Sequence, residues 1–106
     1  MEKRWNERKR IQLSALINSS ETLVSARTDN IGMGGMFLKI APGVNINHKG
    51  RISVALSADD QTVTFPAKIV RVEEDGLALK FSNYSPEMLR LLRRLLLDEE
   101  ESPQLH

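Results

Sequence analysis

From about residue 12 to residue 81 the chain alternates apolar and polar side chains with a period of two, the spacing that sets one face of a strand on a core and the other in water. Leu13, Ala15 and Ile17 alternate with Gln12, Ser14 and Leu16. After an Asn18-Ser19-Ser20 turn, Thr22, Val24, Ala26 and Thr28 alternate with Leu23, Ser25 and Arg27, so the two runs predict an antiparallel hairpin. A glycine-rich turn at 30–35 ends the second strand. A third strand covers 36–40 and stops at Pro42-Gly43, and a fourth places Ile52, Val54 and Leu56 on one face before an Asp59-Asp60 turn. The run 62–72 makes a long fifth strand, in which Pro66 demands an edge position or a bulge because proline has no amide to donate to a ladder. Glu74-Asp75-Gly76 turns the chain into a sixth strand with Leu77, Leu79 and Phe81 facing one way.

The period then changes. Ser85 suits an N-cap, Pro86 the first helical position and Glu87 the positive end of a helix dipole, while Met88, Leu91, Leu92, Leu95 and Leu96 fall at i, i+3, i+4, i+7 and i+8. That stripe predicts one helix packed on the strands, with Leu89 and Leu97 off the contact. Six strands at short, even spacing followed by a single helix predict an all-β, six-stranded antiparallel barrel with a C-terminal helix over 11–97. Residues 1–10 have no apolar period and are expected to form a flexible basic arm, and 98–106 an acidic, disordered tail.

Charge sharpens this picture more than composition does. The 106 residues allow one domain, and a formal net charge of +1 is too small for a general nucleic-acid surface. The charge is segregated, however: Lys3, Arg4, Arg8, Lys9 and Arg10 crowd the start, and Asp98, Glu99, Glu100 and Glu101 follow the helix. Cysteine is absent, so thiolate metal sites and disulfides are excluded. His48 and His106 are the only histidines, no acid, nucleophile and base fall into a set, and the turn carboxylates have no ligand spacing, so an enzyme or a metal site is not expected. The start is charged where a signal peptide is apolar, and Arg90, Arg93 and Arg94 interrupt the leucine-rich segment. A cytoplasmic protein without membrane insertion, monomeric or homodimeric, is the expectation.

Two short motifs carry candidate chemistry. Arg4-Trp5-Asn6-Glu7-Arg8 offers two guanidiniums four residues apart, each able to fork onto a phosphate or the Hoogsteen edge of guanine and to stack on a flat ring. A solvated basic tail would read the same by charge alone, but Trp5 has no reason to be in such a tail unless its ring packs on the barrel or on a base. Asn30-Ile31-Gly32-Met33-Gly34-Gly35 holds three glycines, which permit positive φ and close backbone approach to an anion; a plain tight turn or bulge would use them too.

Both motifs, their order and the barrel around them resemble the PilZ domain family, bacterial receptors for cyclic di-GMP with an RxxxR arm and a [D/N]xSxxG turn. Arg4 and Arg8 match the arginines, Asn30 the acid or amide and Gly35 the last glycine. The likeness continues through Gly34-Gly35-Met36-Phe37-Leu38, Pro42-Gly43, Ala67-Lys68-Ile69-Val70-Arg71-Val72, Gly76-Leu77-Ala78-Leu79-Lys80-Phe81 and Ser85-Pro86-Glu87. It implies a PilZ-type split barrel and a cyclic di-GMP site at Arg4, Arg8, Asn30, Gly32 and Gly35, with no further cofactor. It also implies a signal passed in trans to a protein partner controlling motility, adhesion or exopolysaccharide. Gly32 stands where the family has serine, which removes a hydroxyl worth about 0.5–1.5 kcal/mol if it bonds the ligand. A divergent adaptor that has lost the ligand is the alternative, and a small barrel for single-stranded nucleic acid is disfavoured by few aromatics and low charge.

Overall fold

The computed structural model describes residues 8–19, 22–44 and 51–97. Its strands are β1 (Arg8–Lys9), β2 (Ser14–Ser19), β3 (Thr22–Gly32), β4 (Gly35–Lys39), β5 (Arg51–Ala58), β6 (Gln61–Glu73) and β7 (Gly76–Phe81), followed by one helix, α1 (Pro86–Leu96). All neighbours are antiparallel in the order β1-β3-β2-β5-β6-β7-β4, and a further β3–β4 pairing closes the last six into a barrel. Closure leaves β1 as a two-residue ladder outside the ring. Alternation does what it predicts: Ala15 and Ile17, Ile52, Val54 and Leu56, and Leu77, Leu79 and Phe81 all point into one core.

Pro66 meets its constraint in an instructive way. β6 is flanked on both sides, yet Ala67 is the first residue of β6 paired with β7, opposite Phe81. The Pro66 carbonyl faces that side and accepts from Ser82 N–H at 3.3 Å, so the missing amide faces a place where β7 has ended and no ladder bond is lost. The register shift in this pair lies between Ile69 and Arg71 instead.

Helix α1 begins as its sequence dictates. Ser85 Oγ accepts the Met88 N–H at 3.1 Å, Pro86 opens the helix, and Leu97 N–H closes it on Arg93 O at 2.8 Å. Met88, Leu91, Leu92 and Leu96 are buried in the same core as the strands, Leu95 is partly buried, and Leu89 and Leu97 are exposed. Near its C-terminal end, Arg94 reaches Asp59 Oδ2 at 3.3 Å in the β5–β6 turn, where Asp59 adopts a left-handed φ of 56°.

Candidate functional site

Strand β3 carries the decisive irregularity. Thr28 pairs with Leu38 and Asn30 with Phe37, so Asp29 is an extra residue on β3. A regular strand would send Asn30 to the same side as buried Thr28; the bulge shifts the phase, so Ile31 is buried instead and Asn30 is only half-buried. One inserted residue therefore moves a polar amide from the core to the surface. Gly32 follows two residues on, with Arg8 of β1 directly opposite it.

Arg8 uses this placement. Its Nε donates to Asn30 Oδ1 at 2.8 Å, and Asn30 Nδ2 donates to Asp29 Oδ2 at 3.1 Å, so a carboxylate orients the amide and the amide orients the guanidinium. Because Asn30 takes Nε, the fork of the two Nη nitrogens is not consumed by this contact. Thr28 anchors the segment joining β1 to β2: its hydroxyl accepts from Leu13 N–H at 2.8 Å and donates to Ile11 O, and its own amide donates to Leu13 O at 2.9 Å. With Thr28 buried and Arg8 exposed, a core threonine holds the path by which the surface arginine arrives.

The turn differs from its sequence reading. Asn30, Ile31 and Gly32 belong to strand β3, and the connection to β4 is only Met33 and Gly34. The strand extends because Arg8 and Lys9 pair with Gly32 and Ile31, and because the Ile31 side chain is held fully in the core. Nor do these glycines supply left-handed backbone; among the described glycines that conformation belongs to Gly43, at φ 89°. Close approach is what the position requires. A Cβ on Gly35 would lie 2.1 Å from the Leu79 carbonyl oxygen across the β4–β7 seam, so Gly35 is needed for barrel closure, whereas a Cβ on Gly34 would meet nothing within 4 Å.

Tyr84, to which the sequence reading gave no role, also belongs here. Its phenol donates to Met33 O at 2.7 Å, its ring stands edge-on to Phe81 at 5.9 Å, and Phe81 N–H donates to Gly34 O at 3.0 Å. Burial pushes the Tyr84 pKa up, which keeps the donating proton on the ring to higher pH than in free tyrosine. The residue is the only tyrosine of the chain and lies between β7 and α1, with no periodicity to reveal its partner. Arg8, Asn30 and Gly32 thus share one patch, and Gly35 stands across the two-residue turn from it. Arg4, Trp5 and the 98–106 tail fall outside the described residues.

The order of these parts, an arginine-bearing N-terminal segment laid on the end of β3 beside a glycine hairpin of a six-stranded barrel, matches a known family. The profile of the PilZ domain aligns with residues 2–98, which include both arginines of the first motif and the whole of the second. The chain belongs to the PilZ domain family. Solved PilZ structures share the fold at low identity. The PilZ domain of CeSA from a cellulose-synthesizing bacterium superposes with a TM-score of 0.72 at 15% identity, covering 90% of this chain and 99% of that one. The Bacillus subtilis inhibitor of motility, MotI/DgrA, gives 0.75 at 15% identity over 92% of this chain and 50% of that one. The cyclic di-GMP-bound PilZ domain of YcgR from Escherichia coli gives 0.67 at 14% identity over 87% and 85%. Comparison with curated proteins gave no match. The described residues of this PilZ domain contain no group of three or more His, Cys, Asp or Glu that could hold a metal ion, and no helix long and apolar enough to cross a membrane.

Proposed function

We propose that this PilZ domain is a cytoplasmic cyclic di-GMP receptor that acts in trans on a protein partner, in control of motility, adhesion or exopolysaccharide, rather than by catalysis. The observation that carries the reading is the Arg8–Asn30 contact at 2.8 Å, which joins one residue from each family motif on the outer face of the barrel. Arg8 forks onto a phosphate or stacks on a guanine, Asn30 fixes the guanidinium plane, and the exposed, side-chain-free position at Gly34 lets the ligand reach the backbone of the hairpin. The ligand site comprises Arg4, Arg8, Asn30, Gly32 and Gly35, with Gly35 contributing through the closed seam that holds the hairpin in place.

The signal is a change in the arm. Arg8 and Lys9 anchor it on β3, and the stretch before them carries Arg4 and no apolar period, so it gains order when phosphates and guanines arrive. The partner reads that newly ordered surface. Calorimetric titration of cyclic di-GMP, with GTP and a short single-stranded oligonucleotide as comparisons, tests the reading. Saturable heat with the dinucleotide alone supports it. No heat with any of the three favours a ligand-free adaptor, and preference for the oligonucleotide overturns both.

A further inference from the structure

Beyond the family motifs, one level of the barrel carries a row of positive charge. Lys80 on β7 stands opposite Gly35 of β4 on one side and Lys68 of β6 on the other, and Lys68 is in turn opposite Arg51 of β5. All three cations are exposed, and they line an open cleft with Phe81 and Ser82. At strand spacing the row spans about 10 Å. Among the described residues the ion pairs are Lys39–Asp75, Arg71–Glu73 and Arg94–Asp59, and none of these carboxylates is paired with the row. Like charges directly opposite one another on a sheet are destabilising, and Lys68 meets one on each side. Folding gives no return for that cost; an anion would.

The place of the row names the anion. Gly32, Met33, Gly34 and Gly35 form the hairpin end, with Arg8 opposite Gly32 on one flank and Lys80 opposite Gly35 on the other. The hairpin end, which bears no long side chain but Met33, is therefore bracketed by cations on two sides. We propose that Lys80, backed by Lys68 and Arg51, forms a second phosphate subsite continuous with the Arg8 face, so that the two flanks take separate phosphodiesters of the bound cyclic dinucleotide. This rests on the cyclic di-GMP reading given above. Lysines serve here as point charges: they attract the phosphate without fixing its orientation, which remains the task of Arg8.

The subsite predicts an inverse relation between binding and stability. Lys68→Gln and Lys80→Gln each weaken cyclic di-GMP binding by about three- to tenfold at low salt, less at high salt, because an exposed charge–phosphate contact is screened. The same substitutions raise the melting temperature of the free protein, since each removes a like-charge opposition. Arg90→Gln, on the exposed side of α1, changes neither. Calorimetry and thermal melts of the intact chain read both effects. Unchanged stoichiometry in the weakened variants supports both phosphates lying on one ligand, whereas a fall from two ligands to one would place the second phosphate on a second molecule and overturn the single-ligand subsite. Wild-type binding that persists at full affinity in both lysine variants overturns it and leaves the function intact, whereas absence of wild-type binding overturns the function and the subsite together.

Discussion

Replacing Arg8 with alanine is expected to weaken cyclic di-GMP binding on the order of a hundredfold, because charge-assisted bonds to phosphate contribute about 1.5–3 kcal/mol each and stacking is lost with them. The neighbouring Lys9→Ala is expected to cost only a few-fold. The contrast follows from geometry. Asn30 holds the Arg8 guanidinium by Nε, so its plane is set before ligand arrives, and a preorganised fork loses less freedom on binding than a free chain would. Arg8→Lys keeps the charge and loses both the plane and the contact with Asn30, so it should behave nearly as badly as alanine. Isothermal titration of the three variants decides the matter. Small, equal losses would mean that the arm acts through bulk charge and that the Arg8–Asn30–Asp29 relay has no part in recognition.

The second large effect is on stability. Leu92 is 1% exposed, in the stripe through which α1 enters the barrel core, and its truncation to alanine should cost about 2–5 kcal/mol. For a domain of this size that lowers the melting temperature by roughly 10 °C or more. Met88, Leu91 and Leu96 line the same contact, so little is available to collapse into the space left. The competing idea, that the stripe exists only to pair two chains, predicts a melt unaffected by the change at dilute concentration. A thermal melt followed by circular dichroism separates the two, and an unchanged transition would reject the packing.

Much of this architecture was legible because the strands obey one period and the helix another. Alternation located each of the six barrel strands, the Asp59-Asp60 turn and the direction of Leu77, Leu79 and Phe81; the Ser85-Pro86-Glu87 entry located the helix to the residue. What escaped was whatever depends on which strands meet. The phase shift at Asp29 exists only because β4 pairs with β3 on both sides of it, and nothing local distinguishes Asp29 from any polar strand residue. The same is true of β1, whose two residues have no pattern and become a strand because Gly32 and Ile31 offer unpaired backbone.

The candidate site divides along similar lines. Arg8 and Asn30 were legible as residue types at motif spacing, while their contact required the bulge. Glycine at 35 was legible as a site residue only through family likeness; its physical reason, the Leu79 carbonyl 2.1 Å from where a Cβ would be, lies in a strand more than forty residues away. Tyr84 is the clearest omission. A polar linker gives no hint that its phenol will fasten the Met33 carbonyl, 51 residues earlier in the chain. Basic residues at 51, 68 and 80 look scattered in the chain and become a row only through register.

Cyclic di-GMP is proposed to bind on the face shared by Arg8, Asn30 and the hairpin at residues 32–35. Amide chemical shifts of the isotopically labelled chain, followed through a cyclic di-GMP titration, test it most directly. Binding on this face is expected to give saturable shifts concentrated at residues 8–10 and 30–35, with lesser changes at Lys80 and Ser82 and almost none along α1. Saturable binding whose shifts cluster on α1 or around the β5–β6 turn, leaving Arg8 and Asn30 unmoved, would contradict it.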